Sequence, residues 1–267
     1  MARTNLELVL RRDRHITIVS LLLVAGVAWA YTYAGATMPP VEPGMGMANS
    51  QSHTMPMPMA WTLSHVMLMI LMWWIMMIAM MVPGAAPTIL LFAAISRKQL
   101  QTSAPIVPTG IFLTAYLVVW GAFSLVATGL QWALEAAGLL VAMTVTDAVL
   151  GGSLLLAAGL YQLTPVKQAC LRRCRGPVAF LTEYWRPGAA GAWRMGLAHG
   201  AYCLGCCWFL MALLFFGGIM NVLWIAGLAV YVLFEKTVPA GHWLSRAVGA
   251  LLAIAGAIVL VGGYDGD

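Results

Sequence analysis

The chain has 267 residues, of which 62% are hydrophobic and 9% charged, with a formal net charge of +5. Soluble domains average about 25% charged residues, so a mean hydropathy of +0.88 excludes an ordinary soluble domain and marks an integral membrane protein. The positive balance fits topology and anionic lipid and gives no reason to invoke nucleic acid.

A transmembrane helix needs about 20 predominantly apolar residues. Seven stretches qualify, at roughly 16–36, 62–82, 106–128, 138–161, 197–217, 220–237 and 244–263. The expected fold is all-α, a seven-transmembrane-helix bundle with a cytoplasmic N-terminus and an extracytoplasmic C-terminus. Residues 1–36 form a short cytoplasmic segment and the first helix. Arg11, Arg12 and Arg14 precede that helix as in a signal peptide, but the junction at Ala34 to Met38 is a poor cleavage site, so it is read as an anchor.

Residues 37–61 read as an extracytoplasmic loop rich in Met and His. Thirteen of the 18 methionines lie between Met38 and Met81, and Met45, Met47, Met55, Met57 and Met59 surround His53 in a stretch with no periodicity. Thioethers persist as ligands where thiols oxidise, and they select Cu(I) or Ag(I). The competing reading is a flexible low-complexity linker. On the second helix His65, Met69, Met72, Met76 and Met80 make a stripe at helical spacing. It could line an ion path, and adaptable packing of a membrane helix explains it equally well. His65 could equally sit at headgroup level beside Trp61.

Residues 62–263 form a six-helix membrane domain, interrupted by a cytoplasmic loop at 162–196, with an acidic tail at 264–267. Asp147 reads as an acid inside the fourth span, where a charge costs about 2.5–3.5 kcal/mol. It is either a proton site or a hydrogen-bonded structural residue. Loop 162–196 carries Cys170 and Cys174 in PVKQACLRRCRGP, whose basic residues favour the metal-binding thiolate; acylation or inertness are the alternatives. The fifth span contains HGAYCLGCC, which puts His199, Cys203, Cys206 and Cys207 on one helical face. Thiolate and imidazole suit Cu(I) first and Zn(II) second; the competing reading is cysteines that merely pack as small apolar residues in the core. Gly217, Gly218 and Asn221 mark a tight turn into the sixth span, with Asn221 as a cap. Glu235 and Lys236 read as an interfacial pair that stops that helix, with Glu235 also a candidate polar or proton site.

Lysine and arginine collect in short cytoplasmic loops, and this topology puts all 14 of them on that side. The thioether-rich loop then faces the oxidising compartment and the five cysteines face the reducing one, where thiols persist. The segments YQLTPVKQACLRRCRGP at 161–177, HGAYCLGCCWFLM at 199–211, GGIMNVLWIAGLAVYVLFEK at 217–236 and WWIMMIAMMVPGAAP at 73–87 resemble a bacterial family described as predicted metal-binding integral membrane proteins, a domain of unknown function. The resemblance covers about 60–238. It implies metal binding, carried at His199, Cys203, Cys206, Cys207, Met220, Asn221, Glu235 and Lys236 with Cys170 and Cys174, and it implies no mechanism.

There is no phosphate-binding loop and no hydrolase motif, so no enzyme activity is expected. Haem ligation is poorly served by a thiol-rich helix. The sequence therefore predicts a multi-pass protein of the bacterial inner membrane that binds a soft metal, copper as Cu(I) before zinc. It would transport the ion or deliver it to a cuproenzyme, in contact with lipid, the ion, and a membrane cuproenzyme complex or a metallochaperone. The alternative is a non-transporting accessory subunit or assembly factor of a membrane enzyme complex.

Overall fold

A computed structural model describes residues 2–37, 61–100, 106–141, 143–238 and 241–264, with side chains for 15–37, 61–97, 108–141, 143–238 and 241–262. The metal-ligand candidates His53, Met55, Met57 and Met59 lie outside the described residues. The helices are α1 (Ala2–Thr37), α2 (Leu63–Leu100), α3 (Ile106–Ala136), α4 (Ala148–Leu163), α5 (Pro165–Arg175), α6 (Pro177–Tyr184), α7 (Gly188–Ala212), α8 (Leu214–Gly217), α9 (Val222–Thr237) and α10 (Gly241–Tyr264).

A helix falls in each of the seven apolar stretches, but α4 and α9 have only 16 residues each. Among the described residues, five helical spans are long and apolar enough to cross a membrane: His15–Thr37, Leu63–Arg97, Pro108–Ala136, Gly188–Gly217 and Gly241–Gly262. A sixth is added if α4 and α5, bent by 65°, count as one broken span. With 16 residues, α9 rises only about 24 Å, against a hydrocarbon core of about 30 Å.

The start of the fourth stretch departs from expectation. Leu140–Val141 (β1) pairs antiparallel with Thr144–Val145 (β2), and Met143 turns the chain at φ 61°. α4 begins only after Asp147, whose carboxylate caps it by accepting from Leu150 N at 2.6 Å. Asp147 is therefore not an acid in mid-span: an Asp that can satisfy free N–H groups starts a helix more readily than it continues one. The hairpin is held to the next turn by Ile219 N donating to Met143 O at 3.0 Å. In that turn Gly218 has φ +94°, a conformation natural to glycine, and Asn221 caps α9 by accepting from Trp224 N at 3.2 Å.

At the other end of α4, Thr164 is extended and its hydroxyl accepts from Lys167 N, while Pro165 opens α5. Proline lacks an N–H and disfavours helical geometry in the residue before it, so the helix breaks there. The segment between the fourth and fifth stretches thus holds two short helices, with α5 packed against α7. α4 and α10 approach backbone to backbone: a methyl group on Gly159 would lie 2.4 Å from Ala253 N. Small residues permit such close crossings in membranes. The centre of the molecule is α2, whose Trp73, Met76, Met77, Met80, Met81, Ile89 and Phe92 are buried among the other helices.

Candidate metal centre

All five cysteines are free thiols. Those of α7 point into the bundle: Cys203, Cys206 and Cys207 are no more than 1% exposed, and His199 is 2% exposed. The common face expected for the four residues is therefore the buried face of α7.

Their sulfurs are divided among different neighbours. The thiols of Cys206 and Cys207 donate to Cys203 O at 3.1 and 2.9 Å, the local back-bonding open to short polar side chains on a helix. Cys206 Sγ then lies 3.9 Å from Cys174 Sγ of α5. Cys207 Sγ lies 3.8 Å from Met81 Sδ of α2. Cys203 Sγ is 3.1 Å from Tyr116 Oη of α3 and accepts from Lys236 Nζ of α9 at 2.9 Å. Lys236 Nζ is also 3.9 Å from Met81 Sδ. Among the described residues, no three His, Cys, Asp or Glu side chains stand as a preassembled ligand group.

The spacing nevertheless suits a soft ion. Sulfurs bound at about 2.3 Å to one ion lie roughly 3.7–4.6 Å apart, from tetrahedral to linear geometry. The Cys206 and Cys174 pair at 3.9 Å and the Cys207 and Met81 pair at 3.8 Å fall within that range. His199 stands among aromatic rings, its centroid 5.2 Å from Phe180, 5.7 Å from Tyr116 and 6.0 Å from Phe112. Its buried Nδ1 has no hydrogen-bond partner among the described residues. Such an atom in a protein interior calls for explanation, and a coordination bond is one.

Other expected residues lie elsewhere. Cys170 is partly exposed and packs on Gly205, where a methyl group would be 2.9 Å from its sulfur. His65 makes an edge contact with Trp61 at 5.0 Å. Met69 touches Gln131, its Sδ 3.7 Å from Nε2. Met72 and Met76 are core residues, 8% and 1% exposed. Of the methionines of α2, Met81, off the periodic stripe, is the one that meets a thiol.

Glu235 and Lys236 are not an interfacial pair. They are 0% and 6% exposed, and successive helical residues diverge by about 100°. Glu235 turns to α5, where Lys167 Nζ donates to it at 2.6 Å, and it also accepts from Tyr231 Oη, one turn earlier on α9, at 3.1 Å. Lys236 turns to Cys203. Gly84 makes the room, since a methyl group there would lie 3.2 Å from Lys236 Cδ. Met81, Tyr116 and the inward course of Lys236 are the parts of the site that the sequence pattern missed. The sequence signal nearest to them is Gly84 between Met81 and Pro87 in a long apolar run.

The chain matches the family model described as copper chaperone, PpoB2, over residues 70–259. It belongs to that copper chaperone family. The matched region runs from within α2 to within α10 and includes Met81, Tyr116, all five cysteines, His199 and Lys236; the Met/His-rich loop and His65 precede it. No curated protein and no solved structure matches the chain. Membership in a copper chaperone family makes copper the cargo and implies a carrying role, not a catalytic one.

Proposed function

We propose that this copper chaperone carries its cargo as Cu(I) in the sulfur cluster of α7 and hands it to a membrane cuproenzyme, working in a bacterial inner membrane. Cys203, Cys206 and Cys207 with Cys174 supply thiolates, Met81 supplies a thioether, and His199 stands one turn away as an imidazole donor. The observation that carries this reading is the pair of sulfur contacts at ligand spacing, both buried and both joining α7 to another helix. Sulfur-rich, water-excluded surroundings favour the univalent soft ion over harder ones.

The seven-span arrangement completes the picture. The loop at 37–61 with His53, Met55, Met57 and Met59, followed by His65, Met69, Met72 and Met76, collects copper on the extracytoplasmic side. The thiols, with Cys170 near them, hold it more tightly from the cytoplasmic side. Elemental analysis of protein purified anaerobically with Cu(I) tests the assignment. Wild type retains copper through desalting, whereas Cys203→Ser/Cys206→Ser/Cys207→Ser falls to background. A variant that keeps the full complement of copper sinks the reading.

A further inference from the structure

We propose that Lys236 is the charge filter of the sulfur site: its buried ammonium makes the cluster select a univalent soft cation over a divalent one. The inference deepens the Cu(I) reading and rests on it. Lys236 Nζ lies 2.9 Å from Cys203 Sγ and 3.9 Å from Met81 Sδ, and Met81 Sδ is in turn 3.8 Å from Cys207 Sγ. The ammonium therefore stands at the edge of the space that an ion held by these sulfurs would enter. It is a fixture of the fold. The stem of Lys236 crosses α2 at Gly84, and Cys203, Met81 and Lys236 are all buried.

The consequence follows from charge. Thiolates attract any cation, but an ammonium a few ångströms away repels a divalent ion about twice as strongly as a univalent one, and burial leaves that repulsion poorly screened. At the Lys236 end of the cluster the donors are Cys203, Cys207 and the neutral Met81, and with those two thiolates, the ammonium and Cu(I), the formal charges cancel. With Zn(II) in the same ligands one positive charge is left over, and an uncompensated buried charge is costly. Thiolate donors alone accept both ions. The fixed cation is what separates them.

Lys236 is a positioning residue, so the test needs a readout that a merely structural role would not move. That readout is the ratio of Cu(I) to Zn(II) affinity, each measured by chelator competition on the full chain in lipid nanodiscs. In Lys236→Met the ratio falls tenfold or more, about 1.4 kcal/mol per tenfold, mainly because Zn(II) binds better. Gly84→Ala keeps every donor and the charge but pushes the lysine stem aside, and it shifts the ratio the same way by a smaller factor. Thermal unfolding establishes which variants are folded, and Gly84→Ala decides alone if Lys236→Met is not. A ratio unchanged in the folded variants, or both affinities falling together, overturns the proposal. Wild type that takes up no Cu(I) overturns instead the reading on which it rests.

Discussion

Lys167 and Glu235 are both wholly buried and joined at 2.6 Å, with Tyr231 as a second donor to the carboxylate. Glu235 Oε2 is left without a hydrogen bond among the described residues. Removing one member of a buried ion pair strands the other, at about 3–5 kcal/mol, whereas replacing both with apolar groups is often neutral. Lys167→Met is expected to lower the thermal unfolding midpoint markedly, and Lys167→Met with Glu235→Leu to recover most of the loss; equal loss in both would show that the pair is not what matters there. At this scale the sequence was partly legible. HGAYCLGCC announces its chemistry by residue type and helical spacing alone. Lys236 did not, because a lysine near the end of an apolar run looks interfacial until its neighbour at Gly84, some 150 residues earlier, is known. Met81 was hidden by abundance, one among many methionines on α2.

At the scale of elements, the pairing of Cys206 with Cys174 depends on how closely α5 lies on α7. Gly205 sets that distance, since any side chain there meets Cys170 Sγ at 2.9 Å. Tyr161 reinforces the contact by donating to Gly205 O at 2.5 Å. Gly205→Ala is expected to lift α5 by a few tenths of an ångström. It should weaken Cu(I) retention several-fold while leaving helix content by circular dichroism unchanged; full retention would show that Cys174 is dispensable. The long apolar helices α1, α2, α3, α7 and α10 were foreseen, because apolar length is a local property, whereas α5 and α6 lie in the stretch 162–196 read as a loop. The hairpin before α4 was not. The apolar Leu139, Leu140 and Val141 belong equally to a strand or a helix, and the capping carboxylate of Asp147 decides where the helix starts.

For the molecule as a whole, the number of crossings turns on two elements. One is the bent pair α4 and α5. The other is α9, which is too short to cross an unperturbed bilayer without local thinning or burial of its ends, and its C-terminal end is indeed buried at Glu235 and Lys236. Seven crossings put the termini on opposite faces, six on the same face. A C-terminal alkaline phosphatase fusion is expected to be active and a C-terminal green fluorescent protein fusion dark, as the distribution of the 14 basic residues predicts; the reverse would remove one crossing. Charge asymmetry is the sequence feature that points to this arrangement, whereas which helices touch at the sulfurs is decided by tertiary packing that no single sequence discloses.

The break at Thr164, where α5 leaves the line of α4 at 65°, gives the sulfur cluster a joint. Cys174 rides on the short arm beyond that joint, while its partner Cys206 is fixed in the long rod of α7. A small swing of the arm would part the two sulfurs without unwinding either helix, so in the proposed copper site grip and release would be questions of leverage rather than of bond strength.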